Sequence, residues 1–79
     1  MTRDTLRDFS GRIIGYIETD ERNGNKVARD FYQRIVGYYD KNLNVTKDFY
    51  QRIVGRGDVL SSLIYQAEQE YQQKLKGNK

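Results

Sequence analysis

The chain has 79 residues and a net charge of +3, and it contains neither cysteine nor histidine. Without these residue types the sequence excludes disulfides, thiol or imidazole catalysis and every metal site except one made of carboxylates. Because so short a chain buries only about 60% of its unfolded surface on folding, we expect it to gain buried surface by pairing with a second copy.

A nine-residue segment recurs along the chain. Arg29–Gly37 and Lys47–Gly55 are identical at eight of nine positions, and Arg7–Gly15 is a third, more divergent copy. Such self-similarity is typical of an architecture built from one repeated supersecondary unit. We therefore expect three units in residues 1–58 and one further element in residues 59–76, all within a single domain.

Each unit is expected to be a β-hairpin, since its runs of Ile, Val and Tyr are short and end at Asp, Asn or Gly. In the first copy, Asp8–Gly11 fits a type I turn in which Gly11 takes a left-handed conformation. Gln33 and Gln51 occupy that position in the other copies, where a left-handed conformation costs on the order of 1 kcal/mol. Either the turn tolerates these glutamines or its geometry differs in those two copies. Acidic and basic residues four apart across each turn are expected to pair: Asp8 with Arg12, Asp30 with Arg34, and Asp48 with Arg52.

Glycine and asparagine mark the remaining bends. Asn23-Gly24 predicts a type I′ hairpin turn with both residues at positive φ, and Lys41–Asn44 is expected to connect the next two strands in the same way. Gly15, Gly37 and Gly55 share one repeat position inside a strand, where glycine marks a bulge, a bend or a close approach of another backbone. Three such glycines in register favour a closed or radial arrangement of hairpins over a flat sheet.

The periodicity changes after Asp58. Apolar residues then follow the three- and four-residue spacing of an amphipathic helix, with Asp58 as its N-cap and Gly77 as its stop. We expect this helix to cover the β-layer of its own chain. In the alternative, its apolar face contacts a second copy or another protein. That face comprises Leu60, Ile64, Ala67, Tyr71 and Leu75.

The predicted fold class is mainly β, with three tandem hairpins in a meander, radial or barrel-like arrangement. One C-terminal helix packs on the β-layer or at a dimer interface. Because a shift of one residue in register exchanges the two faces of a strand, the sequence leaves open which member of each Ile/Val pair points inward. The expected core combines some phenylalanine rings with Leu6, Ile13, Ile17, Val27, Ile35, Val45, Ile53, Leu60, Leu63 and Ile64.

Residues Asp8–Gly15 carry the pattern Asp-x-x-Gly-Arg-[Ile/Val]-[Ile/Val]-Gly in its best-preserved form. With this pattern, residues 4–58 resemble the small bacterial proteins called four-fold beta flower proteins. The resemblance implies short hairpins that radiate around a central axis, and it implies no activity. The chain departs from the family in having three units instead of four, two of which lack the turn glycine.

The sequence favours a non-enzymatic binding or structural module that acts through protein–protein contacts, without a cofactor or metal. The expected partners are another protein and a second copy, in a homodimer that near-identical hairpins could form by domain swapping. No apolar run matches a signal peptide or a membrane span, so we expect a cytoplasmic protein without membrane contact.

Binding of nucleic acid, as a single strand or as RNA, is the alternative function. Arginines that repeat beside tyrosines can hold phosphates and stack on bases. The candidate residues are Arg12, Arg34, Arg52, Tyr32 and Tyr50. A second set of cations repeats in the same way near further tyrosines: Arg7, Arg29 and Lys47, with Tyr16 and Tyr38. Protein contacts are favoured because each arginine of the first set has an aspartate at a fixed spacing.

Overall fold

The computed structural model describes residues 1–77, with side chains up to Lys74. Its elements are β1 (Thr2–Arg7), β2 (Ile13–Thr19), β3 (Lys26–Asp30), β4 (Ile35–Asp40), β5 (Val45–Asp48), β6 (Ile53–Arg56) and α1 (Leu60–Gly77). The six strands form one antiparallel sheet in sequence order. The predicted mainly β meander with one C-terminal helix is therefore confirmed.

The sheet is open, with β1 and β6 as its two edges. The closed or radial arrangement that the three glycines favoured is therefore not the one adopted. A β-bulge instead precedes each of these glycines, since one residue on the bulged strand has no partner: Ile14 in β2, Val36 in β4 and Val54 in β6. Each bulge increases the local twist without closing the sheet.

Two of the glycines allow α1 to pack closely against the sheet, because they have no side chain at the contact. A Cβ atom at Gly15 would lie 2.6 Å from Ile64 Cγ2, and one at Gly37 would lie 2.5 Å from Leu63 Cδ1. At Gly55 the nearest atom, Val59 Cγ2, would be 3.2 Å away. The close approach of a second element thus explains the repeated glycine, and it is tightest in the first two units.

The turn geometry predicted for the first copy is present in all three copies. The backbone N–H of Gly11, Gln33 and Gln51 donates to the carbonyl of the aspartate three residues earlier, at 3.0 Å in each case. Their φ angles are +88°, +70° and +67°. The two glutamines thus adopt the left-handed conformation that glycine adopts in the first unit.

The prediction of a type I′ turn at Asn23-Gly24 is wrong. Gly24 alone of the two has a positive φ, and its N–H donates to the Asp20 carbonyl at 2.7 Å. The Asp20 carboxylate also accepts a hydrogen bond from the Arg22 N–H at 3.0 Å, which favours a longer loop closed by Asp20 and Asn25. A turn is present at Lys41–Asn44, as predicted, but it is not of type I′ either, because Asn44 alone of its residues has a positive φ.

Helix α1 covers its own sheet, as expected, and lies over β2, β3 and β4. The core between them contains Ile14, Ala28, Leu60 and Ile64, all fully buried, with Leu6, Ile17, Val36, Tyr39 and Leu63 packed around them. The predicted core positions Leu6, Ile17, Leu60, Leu63 and Ile64 are confirmed. No helix within residues 1–77 is long and apolar enough to cross a membrane.

The other predicted core positions are wrong. In the first two units the bulge residue, Ile14 or Val36, points toward the helix, and its neighbour in each pair points away. Strand pairing and alternation place the remaining aliphatic candidates on the opposite face of the sheet: Ile13, Val27, Ile35, Val45 and Ile53. The phenylalanine rings stay at the turns, where Phe9, Phe31 and Phe49 are all exposed.

A buried threonine attaches the start of α1 to β5. The fully buried Thr46 hydroxyl donates to the Gly57 carbonyl at 2.6 Å and accepts a hydrogen bond from the Val59 N–H at 3.0 Å. The Asp58 carboxylate accepts from the Leu60 N–H at 3.2 Å, so its predicted capping role is confirmed. These contacts direct the chain from the edge strand back across the sheet.

Candidate functional site

A groove of about 880 Å³ lies between the turns of the second and third units and the second half of α1. Aromatic rings surround it, and the bulge residues Ile14, Val36 and Val54 lie in its floor. We call it the aromatic groove and define it by Phe31, Tyr32, Phe49, Tyr50 and Tyr71.

The repeat itself brings these rings together. In an antiparallel meander, alternate connections fall at one end of the sheet, so the turns of the three units lie side by side. Phe31 and Tyr32 occupy the two central positions of one turn and meet edge to face, with ring centroids 5.2 Å apart. Phe49 and Tyr50 repeat this arrangement at 5.4 Å. All four side chains are about half exposed or more.

The helix contributes the opposite wall. The hydroxyl of Tyr71 lies 2.8 Å from that of Tyr32, and their rings meet edge to face at 5.8 Å. The hydrogen bond with Tyr32 raises the pKa of Tyr71 above its usual value, because it favours the protonated phenol. The contact fixes one wall of the groove against the other.

The groove arginines pair with turn aspartates as predicted. Arg34 Nε lies 2.8 Å from Asp30 Oδ2, and Arg52 Nε lies 2.9 Å from Asp48 Oδ2. Hydrogen bonds lower the pKa of Asp48, first from the Arg52 backbone N–H and then from the Arg52 side chain. Each of these arginines thus holds a negative partner of its own.

The arginine of the first unit has a second acidic partner. Arg12 Nε is 3.5 Å from Asp8 Oδ2, and the guanidinium also bonds to Glu68 on α1. The Ser10 hydroxyl, ahead of other hydrogen bonds, lowers the pKa of Asp8 below its usual value. Arg12 therefore connects the first turn to the helix at one end of the groove.

The residues named for nucleic-acid binding come together here. Arg12, Arg34, Arg52, Tyr32 and Tyr50 all line the aromatic groove. Each arginine of the second and third units also stacks near its own tyrosine, with the guanidinium carbon 5.2 Å from the ring centroid.

The residues named for a helix interface separate into three groups. Ala67 and Tyr71 line the groove. Leu60 and Ile64 are fully buried beneath the chain's own sheet, so a partner cannot contact them. The side chain of Leu75 lies outside the described residues.

Sequence reasoning missed Phe31, Phe49 and Glu68 as groove residues. The signal for the two phenylalanines was available, because central positions of a type I turn project into solvent and rarely supply a core. No local signal identifies Glu68, whose bond to Arg12 joins residues far apart in sequence.

Comparisons with known proteins add no relative. No family model, no curated protein and no solved structure matches the chain. Within residues 1–77, no group of three or more acidic side chains is arranged to hold a metal ion.

Proposed function

We propose that the protein is a non-enzymatic binding module that holds an apolar segment of another protein in the aromatic groove. The exposure of Phe31, Tyr32, Phe49 and Tyr50 beside an apolar floor carries this proposal. Contiguous exposed apolar surface on a small domain marks an interaction site. Tyrosine, arginine and other aromatic residues are also the types most enriched at the energetic centres of protein interfaces.

Charge balance supports a protein partner over nucleic acid at this groove. Its lining contains four basic side chains (Arg12, Arg34, Arg52, Lys74) and four acidic ones (Asp30, Asp48, Glu68, Glu70). A phosphate backbone would have to displace the aspartates that already hold the arginines. An apolar segment with few charges requires no such exchange, and therefore fits the groove better.

Peptide display on the full-length protein tests the proposal. A random peptide library is selected on wild type, and the enriched peptides are then titrated against Phe49→Ser and Phe9→Ser. The two substitutions affect the same repeat position, but Phe49 lines the groove and Phe9 does not. Both side chains are exposed, so circular dichroism is expected to show unchanged folding.

The expected result is a set of apolar-rich peptides that bind Phe49→Ser about tenfold more weakly than wild type, since loss of a central aromatic contact costs about 1–2 kcal/mol. Binding to Phe9→Ser is expected to be unchanged. Absence of any enriched peptide, or equal weakening in both variants, would overturn the proposal.

Strand β6 is a better candidate than helix α1 for the surface through which two copies pair. Ile53 and Val54 are 62% and 47% exposed on this short edge strand, whereas the opposite edge, β1, carries Arg3, Asp4 and Arg7. Charged side chains on an edge oppose strand addition, and β6 carries one, Arg56 at its end, against three on β1. We propose that two copies pair through β6.

Light scattering over a concentration series tests this pairing. Wild type is expected to reach the mass of a dimer. Ile53→Lys is expected to remain a monomer, because it replaces an exposed apolar side chain of the pairing edge with a second charge in addition to Arg56. Thr5→Lys, on the other edge, serves as the control and is expected to leave the dimer intact. A monomeric wild type at every concentration contradicts the pairing.

A further inference from the structure

The face of the sheet opposite α1 has a composition of its own. Because side chains alternate along each strand, the residues between the core positions of β1 to β6 all project from this face. We call it the helix-free face. Its polar and aromatic members are Arg3, Thr5, Arg7, Tyr16, Glu18, Arg29, Tyr38, Asp40, Lys47 and Arg56.

This face is strongly basic. It contains five cationic side chains and two carboxylates, an excess of three positive charges that equals the net charge of the whole chain. Glu18 is shared by two of the cations, with Arg29 Nε at 2.7 Å and Arg3 Nε at 4.0 Å. Asp40 accepts hydrogen bonds from the backbone N–H groups of the following loop. Both acids are therefore already engaged.

Three cations on this face keep their charge uncompensated. Within the part of the chain that the structure describes, Arg7, Lys47 and Arg56 form no ion pair with an acidic side chain. They lie on β1, β5 and β6, near both edges of the sheet. This differs from the aromatic groove, where each repeated arginine has an aspartate partner.

Two tyrosines lie between these cations. Tyr16 on β2 is opposite Arg29 on β3, and Tyr38 on β4 is opposite Lys47 on β5. The Arg3 guanidinium covers the Tyr16 ring at 4.0 Å from its centroid. Aromatic rings between cations on an open sheet provide stacking surfaces next to phosphate-binding groups.

We propose that the helix-free face binds single-stranded nucleic acid. Arg7, Lys47 and Arg56 contact phosphates, and a base stacks on the ring of Tyr38. Charge complementarity selects this occupant, because a second copy would bring an equal positive excess to the same surface. The proposal concerns a different surface from the aromatic groove, so either site can fail without the other.

Fluorescence anisotropy with a labelled mixed-sequence oligonucleotide of about 12 nucleotides, as RNA and as DNA, tests the proposal. Three phosphate contacts on a single strand predict a slope of log K against log salt of about −2. Affinity is then expected to fall about 20-fold between about 50 and 200 mM salt. No binding at the lower salt concentration would overturn the proposal.

Paired variants locate the site. The double substitution Lys47→Ala/Arg56→Ala removes two unpaired cations and is expected to weaken binding at least tenfold at low salt and to flatten the salt slope. The matched double substitution Arg34→Ala/Arg52→Ala removes two aspartate-paired cations and is expected to change affinity less than twofold. A larger loss in the second pair would place the nucleic acid in the groove and overturn the proposal.

Tyr38→Ala distinguishes a nucleic acid from any other polyanion. It removes a stacking ring without changing charge, so oligonucleotide affinity is expected to fall about tenfold at an unchanged salt slope. Binding of inorganic polyphosphate is expected to remain as in wild type. Equal behaviour of the two probes would show that charge alone attracts them, which contradicts the assignment of stacking to this face.

Discussion

Substitution of Thr46 by valine tests how the helix is joined to the sheet. Valine has nearly the same shape, so it leaves no cavity, but it removes hydrogen bonds of 2.6 and 3.0 Å to the Gly57 carbonyl and the Val59 N–H. An unsatisfied polar group costs about 1–3 kcal/mol when buried. Because these two groups are only partly buried, we expect Thr46→Val to lower the free energy of unfolding by about 2–3 kcal/mol in total.

The assay is thermal unfolding followed by circular dichroism at the helical band. For a domain of this size the expected loss corresponds to a decrease in Tm of about 10–20 °C. Thr46→Ser keeps the hydroxyl and loses one methyl group, so it is expected to cost about 1 kcal/mol. Thr5→Val, at an exposed position on β1, is expected to change stability by less than about 0.5 kcal/mol. Equal stability of Thr46→Val and wild type would refute the role assigned to this hydroxyl.

Three further predictions concern the repeated unit. Gln51→Gly relieves a left-handed φ and is expected to raise the free energy of unfolding by up to about 1 kcal/mol in urea titration; a loss of stability would contradict this. Gly37→Ala forces a methyl group against Leu63 and is expected to lower stability by about 1–3 kcal/mol in the same titration, and no change would contradict the close approach. The folded-state pKa of Asp48 is lowered, so its contribution is complete above its unfolded value of 3.8 and is lost as pH falls through the lower folded value. Asp48→Asn is therefore expected to be less stable than wild type at neutral pH, with a difference that shrinks below pH 3.8; a constant difference would exclude the linkage.

The repeat and its turns could be predicted from the sequence because the interactions that form each turn lie within a few residues of one another. Asp8, Asp30 and Asp48 accept hydrogen bonds from backbone N–H groups two and four residues later, within the same short segment. The sequence left open whether Gln33 and Gln51 adopt the left-handed conformation of Gly11, because the energetic cost for a residue other than glycine competes with the local hydrogen bonds of the turn, and the structure shows that both adopt it. The meander follows, since adjacent hairpins with short connections pair in sequence order.

The sequence could not show which residues of each strand point toward the helix, because the bulges interrupt the alternation of side chains. Ile13 and Ile14 are alike in chemistry, and only the unpaired residue in the β1–β2 ladder decides that Ile14 faces the helix. The glycine after each bulge signalled an irregularity, but it did not distinguish a closed arrangement from a helix packed against an open sheet. That distinction depends on Leu63 and Ile64, which are distant in sequence.

The sequence predicted only part of the candidate groove. Repetition predicted that its arginines and tyrosines recur together, and the structure places them along one surface. The wall formed by Tyr71 depends on the path of α1, which Thr46 and the close helix–glycine contacts determine. Nothing local to residues 66–74 indicates which turn the helix will meet.

Backbone amide shifts of the labelled full-length protein on addition of a display-selected peptide test the proposed function most directly. Perturbations are expected in residues 31–34, 49–52 and 66–74, which are the two turns and the helical segment around the aromatic groove. Shifts confined to the helix-free face, or spread evenly over the sheet, would contradict it.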